Sequence, residues 1–444
     1  MLERLFKLKE RGTNVQTEVL AGLTTFMTMA YVLVVQPGSI VGFGPEQTFT
    51  DINGVIISKA ALLVMTALIS AIITVFMGLY ANAPFALSTG MGTNFMFGAL
   101  IQQGNLSFGN VMAITLISGS VFLVLSFLGV RDFIVRAIPK NIKTSISVAI
   151  GFFIASLGFS NSGIGNFENG ISMGDFSDPN VYLAIGGLIL IALLTSYRVP
   201  GALLIGITLV TLIGIPMGVT QVPESLFDIP SLEAISNVSM AYSLDGMFNE
   251  SLGSTLVLIF IAFNSDFFST LGTVLGVAQK ADLLDEDGDY PDIQRPFIVD
   301  AVGTLLGSAA GCTTVTTFVE SSAGVEVGGK TGLTAITTAV LFLVAILFAP
   351  LFLMIPNAAT GPALIFVGYS MISTIGTIDF TDFENAFGPF IMIVFTIFTG
   401  GIASGIAAGI LADVAIKTFS RSGEKVSLAM YILSIPLIAY FFFS

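Results

Sequence analysis

The chain reads as a succession of apolar stretches separated by short polar ones, and the pattern continues almost to its end. The apolar segments centre within 19–39, 56–80, 84–101, 110–129, 144–160, 181–197, 199–217, 252–279, 296–310, 312–329, 331–352, 359–375, 386–400 and 401–419. That makes about fourteen, each near the roughly 20 residues that cross a bilayer or somewhat shorter. A last run, VSLAMYILSIPLIAYFFF at 426–443, is either a further span or a helix packed along the bundle. Residues 1–17 are polar and basic, with Arg4, Lys7, Lys9 and Arg11. No short apolar run closed by a small-residue cleavage site follows them. The pattern predicts a cytoplasmic tail and a first helix that stays in the membrane.

Composition supports that reading. Hydrophobic residues make up 54% of the 444 positions and charged residues 10%, with a mean hydropathy of +0.93. Soluble domains carry roughly 25% charged residues, so these charges are too few to cover a water-facing surface. An all-α polytopic membrane protein can hold such a composition, because lipid replaces water around its outer faces. The single cysteine, Cys312, excludes an internal disulfide framework. The absence of histidine excludes HExxH zinc sites, Ser-His-Asp triads and histidine proton relays. No nucleophile–base pair is recognisable, so an enzyme is not expected, and neither is a cofactor. No GxxxxGK[ST] motif suggests an ATP motor. A net charge of −13 disfavours nucleic acid as a partner.

Positive residues gather on the cytoplasmic side of membrane proteins. With the N-terminus inside, even-numbered helices end inside. Arg131, Arg136, Lys140 and Lys143 follow the fourth segment, and Arg198 follows the sixth. Lys280 and Arg295 flank the loop after the eighth; Lys330 follows the tenth; Lys417, Arg421 and Lys425 follow the fourteenth. The predicted outside loops at 40–57, 160–180 and 218–250 contain no Lys or Arg. This agreement requires the short segments at 84–101 and 312–329 each to count as a crossing.

Those two segments are unusual. APFALSTGMGTNFMFGAL begins at Ala83 and CTTVTTFVESSAGVEVGG at Cys312. Each starts extended or irregular, with Pro84 in one and β-branched threonines in the other, then turns into a short Gly/Ser/Thr-rich helix. They are the third and tenth crossings, the same place in two halves of seven. Seven is odd, so the second half would run through the membrane in the opposite sense. Interrupted segments at matching positions of inverted halves point to a transporter binding site.

Polar groups inside the spans are the candidate chemistry. Asp266 lies near the middle of the eighth segment, beside Asn264, Ser265, Ser269 and Thr270. A carboxylate at mid-bilayer costs about 2.5–3.5 kcal/mol on insertion scales. Intramembrane acids are therefore read as functional, with a satisfied interhelical hydrogen bond as the plainer alternative. Glu320 would lie in the first turns of the tenth segment's half-helix, where a helix N-terminus favours negative charge. A cap-like structural role is the alternative there. Asn94 offers a donor and an acceptor and suits either ligand contact or interhelical glue. Gly90 and Gly92 fit close packing as well as close approach to a ligand. Glu326, near Lys330, reads as an ion-pair or interface residue. Gly401, Gly405 and Gly409 form a GxxxGxxxG packing face. The run Asp282, Asp285, Glu286, Asp287 and Asp289 lacks the full calcium-loop spacing and reads as a solvated loop.

Four stretches carry a family likeness: RGTNVQTEVLAGLTTFMTMAYVLVVQP (residues 11–37), MGLYANAPFALSTGMGTNFMFGAL (77–100), SDFFSTLGTVLGVAQKADLLDEDG (265–288) and DAVGTLLGSAAGCTTVTTFVESSAGVEVGGKTGLTA (300–335). Across essentially its whole length the chain resembles the nucleobase–cation symporter-2 (nucleobase-ascorbate transporter) family. Within it, the likeness is to the AzgA-like hypoxanthine/guanine/adenine permeases. The resemblance implies the UraA-like fold of fourteen segments in two inverted sevens. It also implies a core domain holding the substrate, residues 1–130 and 251–355, and a gate domain, 131–250 and 356–444. It implies that Asp266 and Glu320 meet the base, that Asn94 lies near the pocket, and that Thr317 and Ser321 lie beside it. It further implies a homodimer in the plasma membrane. Two departures touch the pocket. Family members commonly read FVDLFDT where this chain has Ser269 in place of the second acid, and APGMGLN where it has STGMGTN.

The expected activity is import of purine nucleobases (hypoxanthine or guanine, or adenine) by proton symport with alternating access. A related carrier of uracil, xanthine or another small solute, or a passive channel, is the alternative. A flat base needs an apolar slot with a few placed polar partners, and Phe267 or Phe85 could supply its faces. A proton, or another cation, would couple through Asp266 or Glu320, since no histidine is present.

Overall fold

The structure, a computed structural model, describes residues 2–43, 46–128, 139–166, 172–199, 201–223, 225–227, 230–245, 247, 252–281, 283, 290, 293–399, 402–420 and 426–443. The chain opens with α1 (Leu2–Phe6), α2 (Val15–Met29) and α3 (Val32–Val41). A hairpin of β1 (Thr48–Thr50) and β2 (Ile56–Ser58) leads into α4 (Lys59–Phe76), which runs on as a π turn over Met77–Ala81. Then come β3 (Leu87–Thr89), α5 (Met91–Gln102) and α6 (Phe108–Phe127). The first half closes with α7 (Lys140–Asn161), β4 (Gly165–Asn166), β5 (Ser172–Met173), α8 (Pro179–Ser196) and α9 (Ala202–Gly214). After α10 (Leu232–Val238), the second half holds α11 (Leu252–Lys280), α12 (Gln294–Ala309), β6 (Val315–Thr317), α13 (Ser321–Glu326) and α14 (Gly332–Ile346). It continues with α15 (Ala349–Leu353), α16 (Asn357–Ile372), α17 (Phe383–Thr399) and α18 (Ile402–Phe419). The last apolar run forms one helix, α19 (Leu428–Phe443), packed along α11 and α18. Among the described residues, seven helical stretches are long and apolar enough to cross a membrane, and shorter apolar helices accompany them.

Each of the fourteen apolar segments corresponds to a helix or a strand–helix unit. The starts follow local chemistry. Asn14 caps α2 by accepting from the Thr17 amide at 3.0 Å, and Ser107 with Asn110 makes a capping box at α6. Asp178 and Pro179 open α8.

The packing is that of two equivalent halves. α2 packs on α14 as α11 packs on α6, and α4 packs on α14 as α12 packs on α6. Likewise α7 meets α17 as α16 meets α8, and α8 meets α9 as α17 meets α18. The counterparts α7 and α16 pack against each other, and the counterparts β3 and β6 pair antiparallel. Contacts that recur under exchange of the halves are what an inverted repeat requires.

Small residues allow the close approaches. A Cβ on Gly98 of α5 would run into the Ser39 carbonyl of α3. In the glycine face of α18, a Cβ on Gly405 would meet the Met392 carbonyl at 2.9 Å, and one on Gly409 the Gly388 carbonyl at 3.0 Å. This face packs on α17, as its spacing predicts. Gly401, Arg131, Arg136, Arg421, Lys425 and the acidic run Asp282, Asp285, Glu286, Asp287 and Asp289 lie outside the described residues.

Two acids outside the sequence reading hold the helix ends. Glu18 of α2 is fully buried and covers the N-terminus of α14. Its carboxylate accepts from the amides of Lys330 (2.9 Å), Thr331 (3.2 Å) and Thr334 (3.2 Å) and from the hydroxyls of Thr331 (2.8 Å) and Thr334 (2.6 Å). At the counterpart helix α6, Asp51 of the β1–β2 turn accepts from the Phe108 amide at 2.9 Å. Negative charge at a helix N-terminus is favoured, and in a membrane it replaces the water that would otherwise satisfy the free amides. Replacing Glu18 with Ala strands these buried donors. The expected loss is at least the ~1–3 kcal/mol of one unsatisfied buried group, read as a lowered melting temperature of the purified protein in detergent; an unchanged melting temperature would show that this cap contributes nothing.

Candidate functional site

The site is built around the crossing of β3 and β6. Leu87 faces Thr317, Ser88 faces Thr316 and Thr89 faces Val315. The ladder extends through Gly90 N–H to Thr314 O (2.7 Å) and Phe318 N–H to Ala86 O (3.0 Å). Pro84 and the threonine run keep both segments out of helix, and neither extended segment can satisfy its own backbone, so each satisfies the other. A short helix leaves each strand, α5 beginning at Met91 and α13 at Ser321. Because the strands are antiparallel, the two helix starts face the crossing from opposite ends. The amides of Ser321, Ser322 and Ala323 are taken up by the carbonyls of Phe318, Val319 and Glu320. The first amides of α13 are therefore already in use.

Asn94 and Thr93 of α5 fasten this crossing. Asn94 donates to Thr89 Oγ1 at 3.0 Å and accepts from the Thr313 hydroxyl. The hydroxyls of Thr93 and Thr314 lie 2.7 Å apart. Ser321 Oγ accepts from the Ala86 amide at 3.0 Å. Asn94 and Ser321 thus serve the chain itself in this arrangement.

The acids fall into two groups. Asp266 of α11 is buried and accepts from Thr304 Oγ1 of α12 at 2.7 Å. Thr304 also accepts from the Val315 amide at 3.0 Å, tying Asp266 to β6. Asp300 of α12, which the sequence reading did not single out, is fully buried and close enough to Asp266 for the two charges to interact. It accepts from Thr317 Oγ1 at 3.2 Å. The hydroxyls of Thr270 and Thr316 bond each other at 2.8 Å. One oxygen of each carboxylate, Asp266 Oδ1 and Asp300 Oδ2, is buried with no hydrogen-bond partner among the described residues. A signal for Asp300 was present: an acid four residues before Thr304 puts both on one helix face.

Glu320 forms the other group. It is half-buried at the start of α13, and Tyr31 OH donates to its Oε1 at 2.8 Å. Among the described residues, Asp266 and Glu320 share no hydrogen-bond partner. The sequence reading joins these two acids around one ligand; in the structure Asp266 meets Thr304 and Glu320 meets Tyr31.

Phe267 is buried among Phe122, Phe263 and Phe297, with ring centroids 5.5, 5.6 and 5.3 Å away. Its ring joins α11 to α6 and α12. Phe85 packs on Tyr290 at 6.0 Å. Ser269, at the position of the missing second acid, is exposed, and so is Glu326 at the end of α13.

Chemically, a buried pair of carboxylates, each with one oxygen that has no hydrogen-bond partner among the described residues, can hold a proton or a small cation. Glu320 can accept a further hydrogen bond from a ligand beside the one from Tyr31.

The sequence pattern of the Permease family matches residues 16–408. The chain is 35% identical to the adenine permease AdeP of Escherichia coli (strain K12), over 94% of this chain and 90% of that protein. It is 33% identical to the guanine/hypoxanthine permease PbuG of Bacillus subtilis (strain 168), over the full length of both. Among solved structures, it is similar to the transmembrane domain of the cyanobacterial bicarbonate transporter BicA, with a TM-score of 0.64 at 14% identity, covering 89% of this chain and 97% of that one. That likeness concerns the fold.

α13 sits hard against α2: a Cβ on Gly324 would meet the Ala21 carbonyl at 2.6 Å and collide with Thr25 Oγ1. Gly324→Ala is expected to push Glu320's helix off α2, at a cost of about 1–3 kcal/mol for overpacking. Limited proteolysis and thermal unfolding of the purified variant would read this, and wild-type behaviour in both would refute the packing argument.

Proposed function

The chain belongs to the Permease family, the nucleobase–cation symporter-2 transporters, and from that premise we propose that it imports purine nucleobases, coupled to a cation, by alternating access. It is a multi-pass membrane transporter rather than an enzyme. The purine assignment is supported by relatives named for adenine and for guanine/hypoxanthine. The observation that carries the mechanism is the division of acids at the crossing, one accessible at its edge and one pair sealed among hydroxyls.

In this reading Glu320 accepts an N–H from the base. Oxopurines present an N1–H donor beside an O6 acceptor, and a carboxylate suits the donor. Asp266, with Asp300, carries the coupling charge. Two carboxylates with unpartnered oxygens in a dry interior repel, and a shared proton or monovalent cation removes that repulsion. In a chain without histidine, a carboxyl group is the natural carrier of that proton. Thr317 links β6 to Asp300, so movement of the strand that leads to Glu320 would be felt at the pair. Asn94, Ser321 and Phe267 contribute by holding the crossing and its supporting helices.

Alternating access follows if residues 1–130 and 251–355 form a core that rocks against a gate of 131–250 and 356–444. The packing of α7 on α16 and α17, apart from that of α2 and α4 on α14, supports this division. The boundaries near 130 and 250 lie outside the described residues. A homodimer in the plasma membrane with the N-terminus inside completes the proposal.

The test is purine uptake into proteoliposomes with an imposed proton gradient. Accumulation of radiolabelled hypoxanthine is expected to rise with the inward gradient and to collapse with an uncoupler. Uptake indifferent to both would leave facilitated diffusion or another cation. Asp266→Asn should abolish gradient-driven accumulation, and Glu320→Gln, which keeps a carbonyl acceptor but loses the charge, should weaken purine binding and so shrink the rise in melting temperature that a bound purine gives. Normal purine stabilisation of the Glu320→Gln protein would remove Glu320 from the site.

A further inference from the structure

The partner of Glu320 lies in the first membrane span. Tyr31 occupies the turn between α2 and α3 and is buried at 2% exposure. Ala30 N–H closes α2 on Phe26 O at 2.8 Å, and Val35 N–H opens α3 on Tyr31 O at 3.0 Å. Pro37, inside α3, has no N–H to offer the Leu33 carbonyl one turn earlier, so this helix begins loosened on that side. A buried phenol needs a hydrogen-bond partner, and Glu320 Oε1 supplies it at 2.8 Å. The two groups are held in register from both sides. Thr28, three residues before Tyr31, donates to the Glu320 carbonyl at 3.4 Å. The close approach of Gly324 to Ala21 fixes α13 on α2.

A carboxylate can receive two adjacent N–H donors in parallel when both oxygens are open. Tyr31 takes one. We propose that Tyr31 determines base specificity: by hydrogen-bonding Oε1 of Glu320 it weakens that oxygen as an acceptor and so favours a base that presents one N–H at that edge. The proposal rests on the reading of Glu320 as the acid that meets the base. Hypoxanthine offers N1–H alone beside its carbonyl. Guanine offers N1–H and an adjacent N2 amino group, which together match a carboxylate with both oxygens open. With Tyr31 in place, guanine's second donor must share Oε1 with the phenol, and the extra amino group adds less affinity than it would to a carboxylate with both oxygens open.

The experiment compares equilibrium binding of hypoxanthine and guanine by the purified full-length protein. Wild type, Tyr31→Phe, Glu320→Gln and the double variant are measured. On the unmodified chain guanine binds no tighter than hypoxanthine; guanine at least about tenfold tighter overturns the proposal without any variant. In Tyr31→Phe the ring volume stays and Oε1 is released. Guanine affinity relative to hypoxanthine is expected to rise about tenfold, the scale of one charge-assisted hydrogen bond. In the Glu320→Gln background the same change should leave the ratio where it was. A role confined to packing the first span would move melting temperature but not this ratio, or would move it equally in both backgrounds. An unchanged ratio in Tyr31→Phe, with hypoxanthine still bound, overturns the role of Tyr31 alone. If wild type binds neither base, the purine reading fails and this proposal with it.

Discussion

A backbone amide buried in hydrocarbon must find its acceptor within the protein, and the crossing of β3 and β6 answers that requirement. Two segments that cannot be helical, one led by a proline and one by a threonine run, reach the middle of the molecule from opposite halves. Each supplies what the other lacks, residue for residue from Leu87–Thr317 to Thr89–Val315. The rest of the centre follows from this pairing. It sets where α5 and α13 begin. It brings Thr316 beside Thr270 and Thr317 against Asp300. It also places Glu320 where the first span can reach it.

The buried acids divide according to whether their oxygens are satisfied. Glu18 has an amide donor on Oε1 and amide and hydroxyl donors on Oε2, and Asp51 accepts from the amides of Asn53, Val55 and Phe108. Asp413 pairs with Lys417 at 3.1 Å, both buried. These carboxylates hold helix ends and helix pairs, and their partners come from the fold itself. Asp266 and Asp300 each keep one oxygen without such a partner among the described residues, although both are as deeply buried. An unsatisfied buried carboxylate is costly. It is retained where a mobile ligand or ion completes it, and that contrast within one chain favours assigning coupling to this pair rather than to the other acids.

The architecture was readable in advance because the bilayer imposes a length and a polarity on every crossing, and helices must satisfy their own amides. Even the two short crossings announced themselves through Pro84 and the threonine run. What could not be read was which face of each helix meets which neighbour. Phe267 follows Asp266 in sequence but lies about 100° around the helix, so its ring joins Phe122 and Phe297 while the acid turns to Thr304. Glu18 caps a helix more than half the chain away, and no local pattern signals that. Tyr31 looked like one more apolar residue of the first span. Asp300 was different: its four-residue spacing from Thr304 puts both on one helix face and is visible in the sequence.

The strand crossing also has no slack. Side chains alternate with a period of two along a strand, so one extra residue before β6 would carry Thr316 to the face now held by Thr317. Asp300 would then face Thr316 in place of Thr317, and Thr270 would face Val315, which has no hydroxyl to offer. Nor could a bulge be looped out into solvent, because hydrocarbon and packed helices surround the site. Insertions and deletions are therefore confined to the polar connections, and the spacing from Ala86 to Asn94 and from Thr313 to Glu320 is locked even where side chains are free to vary.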